Sequence, residues 1–195
     1  MRNFVISFVL LFAINMNAQI YSAKSGGTEI SFFSSSPLED ITALNKGAVV
    51  VLNSNSGDIQ IRITIANFKF KNALMEEHFN ENYMESNKKV VDASGKDTYP
   101  YANALFKGKI NEKIDYTKDG ETKVTVTGKM EMHGVTKEVT YEGTVTKKGN
   151  DLSIATKFKI KVADYNIKVP SLYVKNIAEV VDITVNSVLE PFVKK

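Results

Sequence analysis

Residues 124–145 read "VTVTGKMEMHGVTKEVTYEGTV" and alternate apolar with polar side chains on both sides of a His-Gly pair. The apolar residues hold even positions before this pair and odd positions after it, at Val124, Val126, Met130 and Met132 and then at Val139, Tyr141 and Val145. A period of two is typical of β-strands, and Gly134 is free to adopt a positive φ. The segment predicts a tight hairpin with His133 at its shoulder, which favours a structural role for this histidine over a catalytic one.

The same alternation recurs along the chain and predicts an all-β fold. It is strong in GDIQIRITIANFKF (57–70), DLSIATKFKIKV (151–162) and EVVDITVNSV (179–188). Weaker strands are predicted at Thr28–Phe33, Ala48–Asn53 and Ala104–Asn111. Because each strand has one apolar and one polar face, we expect an antiparallel sheet with one dry side.

Eight strands of this kind form either a sandwich or a closed barrel. Closure removes the exposed sheet edges, and Gly128 and Gly143 fall at inward positions where glycine permits a sharp bend. In the strand over residues 57–70, the apolar phase shifts after Ile65, which predicts a β-bulge near residues 66–67. We therefore expect an eight-stranded antiparallel barrel rather than a sandwich.

A helical pattern interrupts the strands between residues 71 and 86. Its apolar and aromatic side recurs at helical spacing, at Leu74, Met75, His78, Phe79 and Tyr83. Acidic and amide side chains occupy the other side, as in an amphipathic helix. We expect this short helix to lie over one open end of the barrel.

The N-terminal residues MRNFVISFVLLFAINMNAQ are typical of a secretory signal peptide. Arg2 precedes a short apolar run, which is too short to be a good membrane anchor, and Ala18 is a small residue suited to cleavage. We expect a signal peptide over residues 1–18 and an exported mature domain over residues 19–195, in the periplasm or outside the cell. No later stretch approaches a transmembrane helix, so we expect no membrane span in the mature chain.

Composition excludes several classes of protein. The chain has no cysteine, which excludes disulfides and a thioether lipid anchor. Its net charge of +3 falls by one when Arg2 is removed, and Arg62 is then the only arginine. This balance favours no nucleic-acid partner, and no pattern in the sequence points to a particular oligomeric state.

Motifs for catalysis are missing from the sequence. His78 and Glu81 share a helix face, but zinc sites need three or four ligands. There is no Gly-x-Ser-x-Gly elbow, cysteine nucleophile or glycine-rich phosphate loop, so we predict no catalytic residue, metal or cofactor. Two alternatives stay open: an enzyme on a lipid intermediate that uses His78 with Glu77 or Glu81, and a packed-core module for protein interaction or stress response.

The hairpin resembles that of the YceI-like family of exported bacterial proteins, in which a glycine and an apolar-polar-apolar step precede His-Gly-Val-Thr-Lys. EEHFNENYMES (76–86) with TYPYANALFKG (98–108), and FKIKVADYNI (158–167), are similar to the family's helical segment and later strand. The resemblance runs from about Ile20 to Val188. It implies a lipocalin-like barrel that binds a long apolar molecule, usually a polyisoprenoid, without catalysis.

The chain departs from the family pattern in three places. Met75-Glu76 stand where the family often has Arg-Asp, and Val162 stands where it often has arginine. Residues 87–97 lengthen the link before Tyr99. The missing arginines remove inherited contacts to a headgroup, whereas an apolar interior does not depend on them.

Strand parity nominates residues that would line a lipid site, although ordinary core packing explains the same pattern. The barrel candidates are Phe106, Met130, Met132, Phe158 and Val162, joined by Phe68 and Phe70 if the bulge turns them inward. Met75, Phe79 and Tyr83 would close the end under the helix. A buried tail gains about 0.8 kcal/mol per methylene, so we expect a long-chain lipid such as a polyisoprenoid as the partner.

Overall fold

The computed structural model describes residues 19–35, 39–169 and 178–193. The predicted signal peptide therefore lies outside the described residues. Within these ranges the strands are β1 (Ile20–Ser34), β2 (Ile41–Asn45), β3 (Val49–Asn53), β4 (Asp58–Thr64), β5 (Lys69–Phe70), β6 (Val90–Val91), β7 (Asp97–Thr98), β8 (Asn103–Ile110), β9 (Gly120–Met132), β10 (Val135–Lys148), β11 (Asp151–Lys161) and β12 (Val180–Pro191). Helical segments are α1 (Ala73–His78), a π-helical turn (Phe79–Tyr83) and two 3₁₀ turns (Ile65–Asn67 and Val162–Tyr165).

Eight of these described strands close into an antiparallel barrel. Pairing runs in the order β12, β11, β10, β9, β8, β4, β3 and β1, and β12 also pairs with β1. Closure leaves each barrel strand with a neighbour on both sides, and it confirms the predicted barrel against the sandwich. Among the described helices, none is long and apolar enough to cross a membrane.

The segment at residues 124–145 forms most of the β9–β10 hairpin, whose two strands make a long antiparallel ladder. Its register runs from Val135 opposite Met132 to Lys147 opposite Gly120. Gly128 lies opposite Gly108 on β8, and a Cβ on Gly128 would lie 2.4 Å from the Gly108 Cα. The absence of both side chains lets these strands approach closely, which supports the predicted role of Gly128 in curvature.

The first strand is much longer than the predicted Thr28–Phe33. It begins at Ile20 and follows β12 past an irregularity between Ala23 and Thr28, where Gly26 has a φ of 68°. Residues 30–34 of β1 also pair with β2, a strand that the sequence did not predict. The alternation is broken at this irregularity, so the first half of the strand has no clear period of two.

The predicted β-bulge near residues 66–67 is wrong. The chain instead makes the 3₁₀ turn Ile65–Asn67, whose Phe68 N–H donates to the Ile65 carbonyl at 3.1 Å. Ile65 and Phe68 are both buried. The turn accounts for the shift in apolar phase, because it advances the chain by a helical step between two buried positions.

The predicted helix is present but shorter than residues 71–86. Asn72 caps α1 by accepting a hydrogen bond from the Leu74 backbone N–H at 2.8 Å. The π-helical turn then ends at Met84, which is buried. Leu74, which the pattern placed on the apolar side, is 55% exposed.

Candidate functional site

The barrel encloses an apolar cavity of about 170 Å³, here called the interior chamber. Predicted residues in its wall are Phe68, Phe106, Met130, Met132 and Phe158. Engineered cavities of about 150 Å³ with aliphatic and aromatic walls stay dry and bind benzene. The interior chamber is therefore large enough to hold hydrocarbon and unfavourable for water.

A second space of about 360 Å³, here called the mouth chamber, lies under α1. Its wall contains the predicted residues Phe70, Met75 and Tyr83. Phe79 and Val162 line both chambers. The structure thus places all ten nominated residues around two adjoining spaces, one inside the barrel and one at its end.

Four phenylalanine rings meet between the two adjoining chambers. The ring centroid of Phe32 lies 5.4 Å from that of Phe79 and 5.6 Å from those of Phe68 and Phe70. Such offset and edge contacts are favourable, and each ring also lines one or both of the chambers. Phe32 was not nominated from the sequence, although its parity with buried Ile30 in β1 carried the signal.

Three more lining residues were not predicted from the sequence. Met84 and Ile167 line both chambers, and Tyr141 lines the interior chamber. Tyr141 was predicted to face inward but was not nominated as a lining residue. Met84 and Ile167 lie just after the π-helical turn and the 3₁₀ turn Val162–Tyr165. The alternation of residues along strands cannot predict which way such residues face.

The opposite end of the barrel, here called the floor, is filled. Leu52, Leu152 and Leu189 have no exposed surface. Tyr21 and Tyr116 stack beside them with ring centroids 6.3 Å apart, and burial raises the pKa of Tyr116 to about 12. A tail that enters the interior chamber therefore meets packed side chains below it.

His133 is a structural residue of the hairpin, at a different position from the predicted shoulder. It is the first central residue of a two-residue turn, with φ of 49° at His133 and 75° at Gly134, the signs of a type I′ turn. Its Nδ1 lies 3.1 Å from the Tyr165 carbonyl oxygen, and its Nε2 lies 3.2 Å from Glu85 Oε2. Both ring nitrogens are therefore engaged, and the side chain is only 8% exposed.

The other histidine, His78, lies in the wall of the mouth chamber. Glu77 and Glu81, its proposed partners in the enzyme alternative, are exposed and do not line that chamber. Among the described residues, no cluster of three or more His, Cys, Asp or Glu side chains could hold a metal.

One carboxylate anchors the helix beside the mouth. Glu76 Oε1 accepts from Lys69 Nζ at 2.5 Å, and its Oε2 accepts from the Phe70 N–H at 3.4 Å. The Lys69 hydrogen bond is the main cause that lowers the pKa of Glu76, with a smaller contribution from Phe70. Glu76 thereby ties α1 to β5, whose Phe70 belongs to the aromatic group.

Comparisons with known proteins agree with this architecture. The sequence model described as the YceI-like domain matches residues 21–189. No curated protein sequence matches the chain significantly.

Solved structures with the same fold include proteins from three bacteria. A polyisoprenoid binding domain from Saccharophagus degradans implicated in plant cell wall breakdown shares 15% identity over 88% of this chain and 98% of its own, with a TM-score of 0.71. Burkholderia cenocepacia BcnA shares 19% over 85% and 98%, with a TM-score of 0.67. The Campylobacter jejuni YCEI protein shares 18% over 76% and 81%, with a TM-score of 0.52. Identities this low show a common fold and leave function to be argued from the site.

Proposed function

The chain belongs to the YceI-like domain family, and on that premise we propose that it binds a long-chain apolar lipid, such as a polyisoprenoid, inside the barrel. The observation that carries this proposal is that two apolar chambers adjoin, with Phe32, Phe79 and Met84 in the walls of both. Both spaces present apolar side chains to an elongated tail. The related domain of Saccharophagus degradans is described as polyisoprenoid binding, which supports the same ligand class.

The energetics favour a tail over a compact ligand. Each buried methylene contributes about 0.8 kcal/mol, so five of them contribute roughly 4 kcal/mol without any directed polar contact. Met130 and Met132 line the interior chamber, and methionine adapts its shape to a flexible ligand. The closed sheet forms this space before the ligand arrives, which reduces the ordering needed on binding.

A binding role fits the histidines better than a catalytic one. A general base must reach the proton that it removes, and both ring nitrogens of His133 already contact Tyr165 and Glu85. His78 lies by the mouth, where a headgroup would sit. We therefore assign the protein to lipid binding rather than to lipid chemistry.

Export is part of the same proposal. The apolar run that ends at Ala18 supports cleavage before Gln19 and release to the periplasm or outside the cell. The intact mass of the exported protein tests this point. A product that keeps residues 1–18 and stays with the membrane fraction would contradict it.

Native mass spectrometry of protein purified without detergent tests the binding proposal. We expect a bound species whose mass excess disappears on organic extraction and is identified as a long-chain lipid. The delipidated protein should then bind dansyl-labelled geranylgeraniol with an increase in dansyl fluorescence. Protein that carries no lipid and takes up no probe would contradict the proposal and favour the packed-core interaction module.

A further inference from the structure

The barrel wall opens between β10 and β11. Their pairing reaches Gly143 opposite Thr156 and stops there, although β10 stays paired with β9, and β11 with β12. Within the described chain, no residue of 135–142 is a ladder partner of residues 157–161. The gap extends along five residues of β11, which is roughly 16 Å of strand. We call this gap the β10–β11 seam.

Side chains hold the middle of the seam closed. The rings of Tyr141 and Phe158 stack across it with centroids 3.9 Å apart. Burial raises the pKa of the Tyr141 hydroxyl, and the neighbouring Tyr165 raises it further. Lys137 Nζ lies 2.7 Å from Asp164 Oδ2 on the outer side. Each of these contacts can separate without breaking a strand ladder.

Single contacts also close both ends of the seam. At the lower end, Thr156 Oγ1 donates to the Glu142 carbonyl at 2.6 Å. At the upper end, His133 Nδ1 lies 3.1 Å from the Tyr165 carbonyl. The turn Val162–Tyr165 therefore supplies most of the partners that replace backbone pairing.

The seam lies directly on the lipid site. Tyr141, Phe158 and Val162 all line the interior chamber. Gly143 and Thr156, at the fork, line both that chamber and an outer groove of about 580 Å³. Opening the seam would therefore join the chamber to the outer surface.

Elsewhere in the wall, the short pairing of β1 with β3 gives no such path. These strands pair only over Ile20–Ser22, but the space above is filled by a cluster that includes Ile30, Ala43 and Ala48. Asn45 is fully buried there and donates to the Thr64 carbonyl at 2.9 Å. Opening this region would unpack core side chains and break a buried hydrogen bond.

We propose that the β10–β11 seam is a side gate through which the lipid tail enters and leaves the barrel. The proposal rests on the lipid-binding function proposed above and concerns the path of the ligand. The tail slides between the parted rings of Tyr141 and Phe158, which close behind it. Backbone pairing in the rest of the barrel is kept throughout.

Locking the seam tests the gate. The chain has no cysteine, so Lys137→Cys with Asp164→Cys can be joined by a short bismaleimide across the seam. We expect the joined protein to take up and release dansyl-labelled geranylgeraniol more slowly by roughly tenfold or more, as for a blocked conformational gate. The same protein before joining provides the reference rates, so a folding defect cannot be mistaken for a lock.

The control lock uses a matching ion pair in an intact part of the wall. Lys159 and Asp182 face each other across the paired strands β11 and β12, with Nζ 2.5 Å from Oδ1. Lys159→Cys with Asp182→Cys, joined by the same reagent, should leave both rates unchanged. Slowing only in the seam lock supports the gate.

Loosening the seam gives the opposite test. Lys137→Ala removes the ion pair on the outer side of the seam and leaves the stacked rings of Tyr141 and Phe158 unchanged. Uptake and release should both accelerate, roughly two- to fivefold, while the dissociation constant stays within about twofold because both rates share one barrier. Glu76→Ala, which frees α1 at the mouth, should leave the rates unchanged.

The outcomes separate the gate from the function beneath it. If the seam lock leaves the rates unchanged, or Glu76→Ala alone accelerates them, the tail enters through the mouth and the gate is wrong. If the unmodified protein does not bind the probe at all, the proposed lipid-binding function fails instead.

Discussion

The floor and the mouth of the barrel are built from the same alternating strands but are packed in opposite ways. At the floor, Leu52, Leu152 and Leu189 interlock with no exposed surface. At the mouth, Met75 and Tyr83 surround a space of about 360 Å³. Close packing stabilises a fold, and the unfilled end gives up part of that stability. The comparison indicates that the floor maintains the barrel while the mouth and interior are left available for a ligand.

The largest expected effect comes from opening the floor. Leu152→Ala should lower the free energy of unfolding by about 2–5 kcal/mol, because it removes a buried side chain and leaves a cavity. Chemical denaturation of delipidated protein measures the change. Leu74→Ala, at the exposed edge of the mouth, is the matched control and should change stability by less than about 0.5 kcal/mol. Equal losses from the two variants would remove the distinction between the ends.

Filling the interior should affect binding more than stability. Met130→Trp places an indole where the tail would lie, and displacing two methylenes at about 0.8 kcal/mol each predicts at least a roughly tenfold weaker affinity. Fluorescence titration with dansyl-labelled geranylgeraniol measures the affinity, and thermal unfolding of delipidated protein measures stability.

Lys129→Trp on the outer face provides the control for this substitution and should change neither quantity much. In a fully packed core, added bulk costs typically about 1–3 kcal/mol. A loss of that size in Met130→Trp, with no ligand bound by the unmodified protein, would show a solid-cored barrel.

The two histidines should respond differently in stability and alike in binding. His133→Ala loses contacts to Tyr165 and Glu85 and the ring contact with Tyr101, whose centroid is 4.3 Å away. We expect a loss of about 1–3 kcal/mol in unfolding free energy, with lipid affinity nearly unchanged. His78→Ala should change both little. If either substitution released a stoichiometric metal ion or abolished a measurable turnover, the protein would instead be an enzyme.

The smallest expected effect is a response of the mouth to acid. Hydrogen bonds from Lys69 and Phe70 lower the pKa of Glu76 in the folded protein. The folded state therefore binds a proton at this group less readily than the unfolded state. The resulting stabilisation is present above the ordinary glutamate pKa of about 4.3 and is lost as pH falls through the lowered value.

Glu76→Gln tests this contribution. Its unfolding free energy should lie slightly below that of the unmodified protein near neutral pH, and the difference should shrink below about pH 4. A difference that stays constant across this range would show that the carboxylate does not hold the mouth helix by its charge.

Several features followed from the sequence alone because they are local. A period of two assigns each residue of a strand to a face, so Met130, Met132 and Phe158 could be placed inward before any contact was known. The His133-Gly134 pair marked the hairpin, since glycine accepts the positive φ that the turn requires. The repeated one-sided strands then favoured closure.

Tertiary structure decided what depends on partners distant in sequence. The alternation of apolar and polar residues does not predict how far two strands stay paired. From the sequence, Tyr141 and Phe158 therefore look like residues of an intact ladder, although they face each other across the seam. The polar start of β1 became a strand because β12 supplied hydrogen bonds that its own sequence does not signal. Met84 reached the chamber because the π-helical turn ends against the barrel. Local periodicity selects a face of the chain, whereas register, pairing length and unfilled space are set by contacts that form only when the barrel closes.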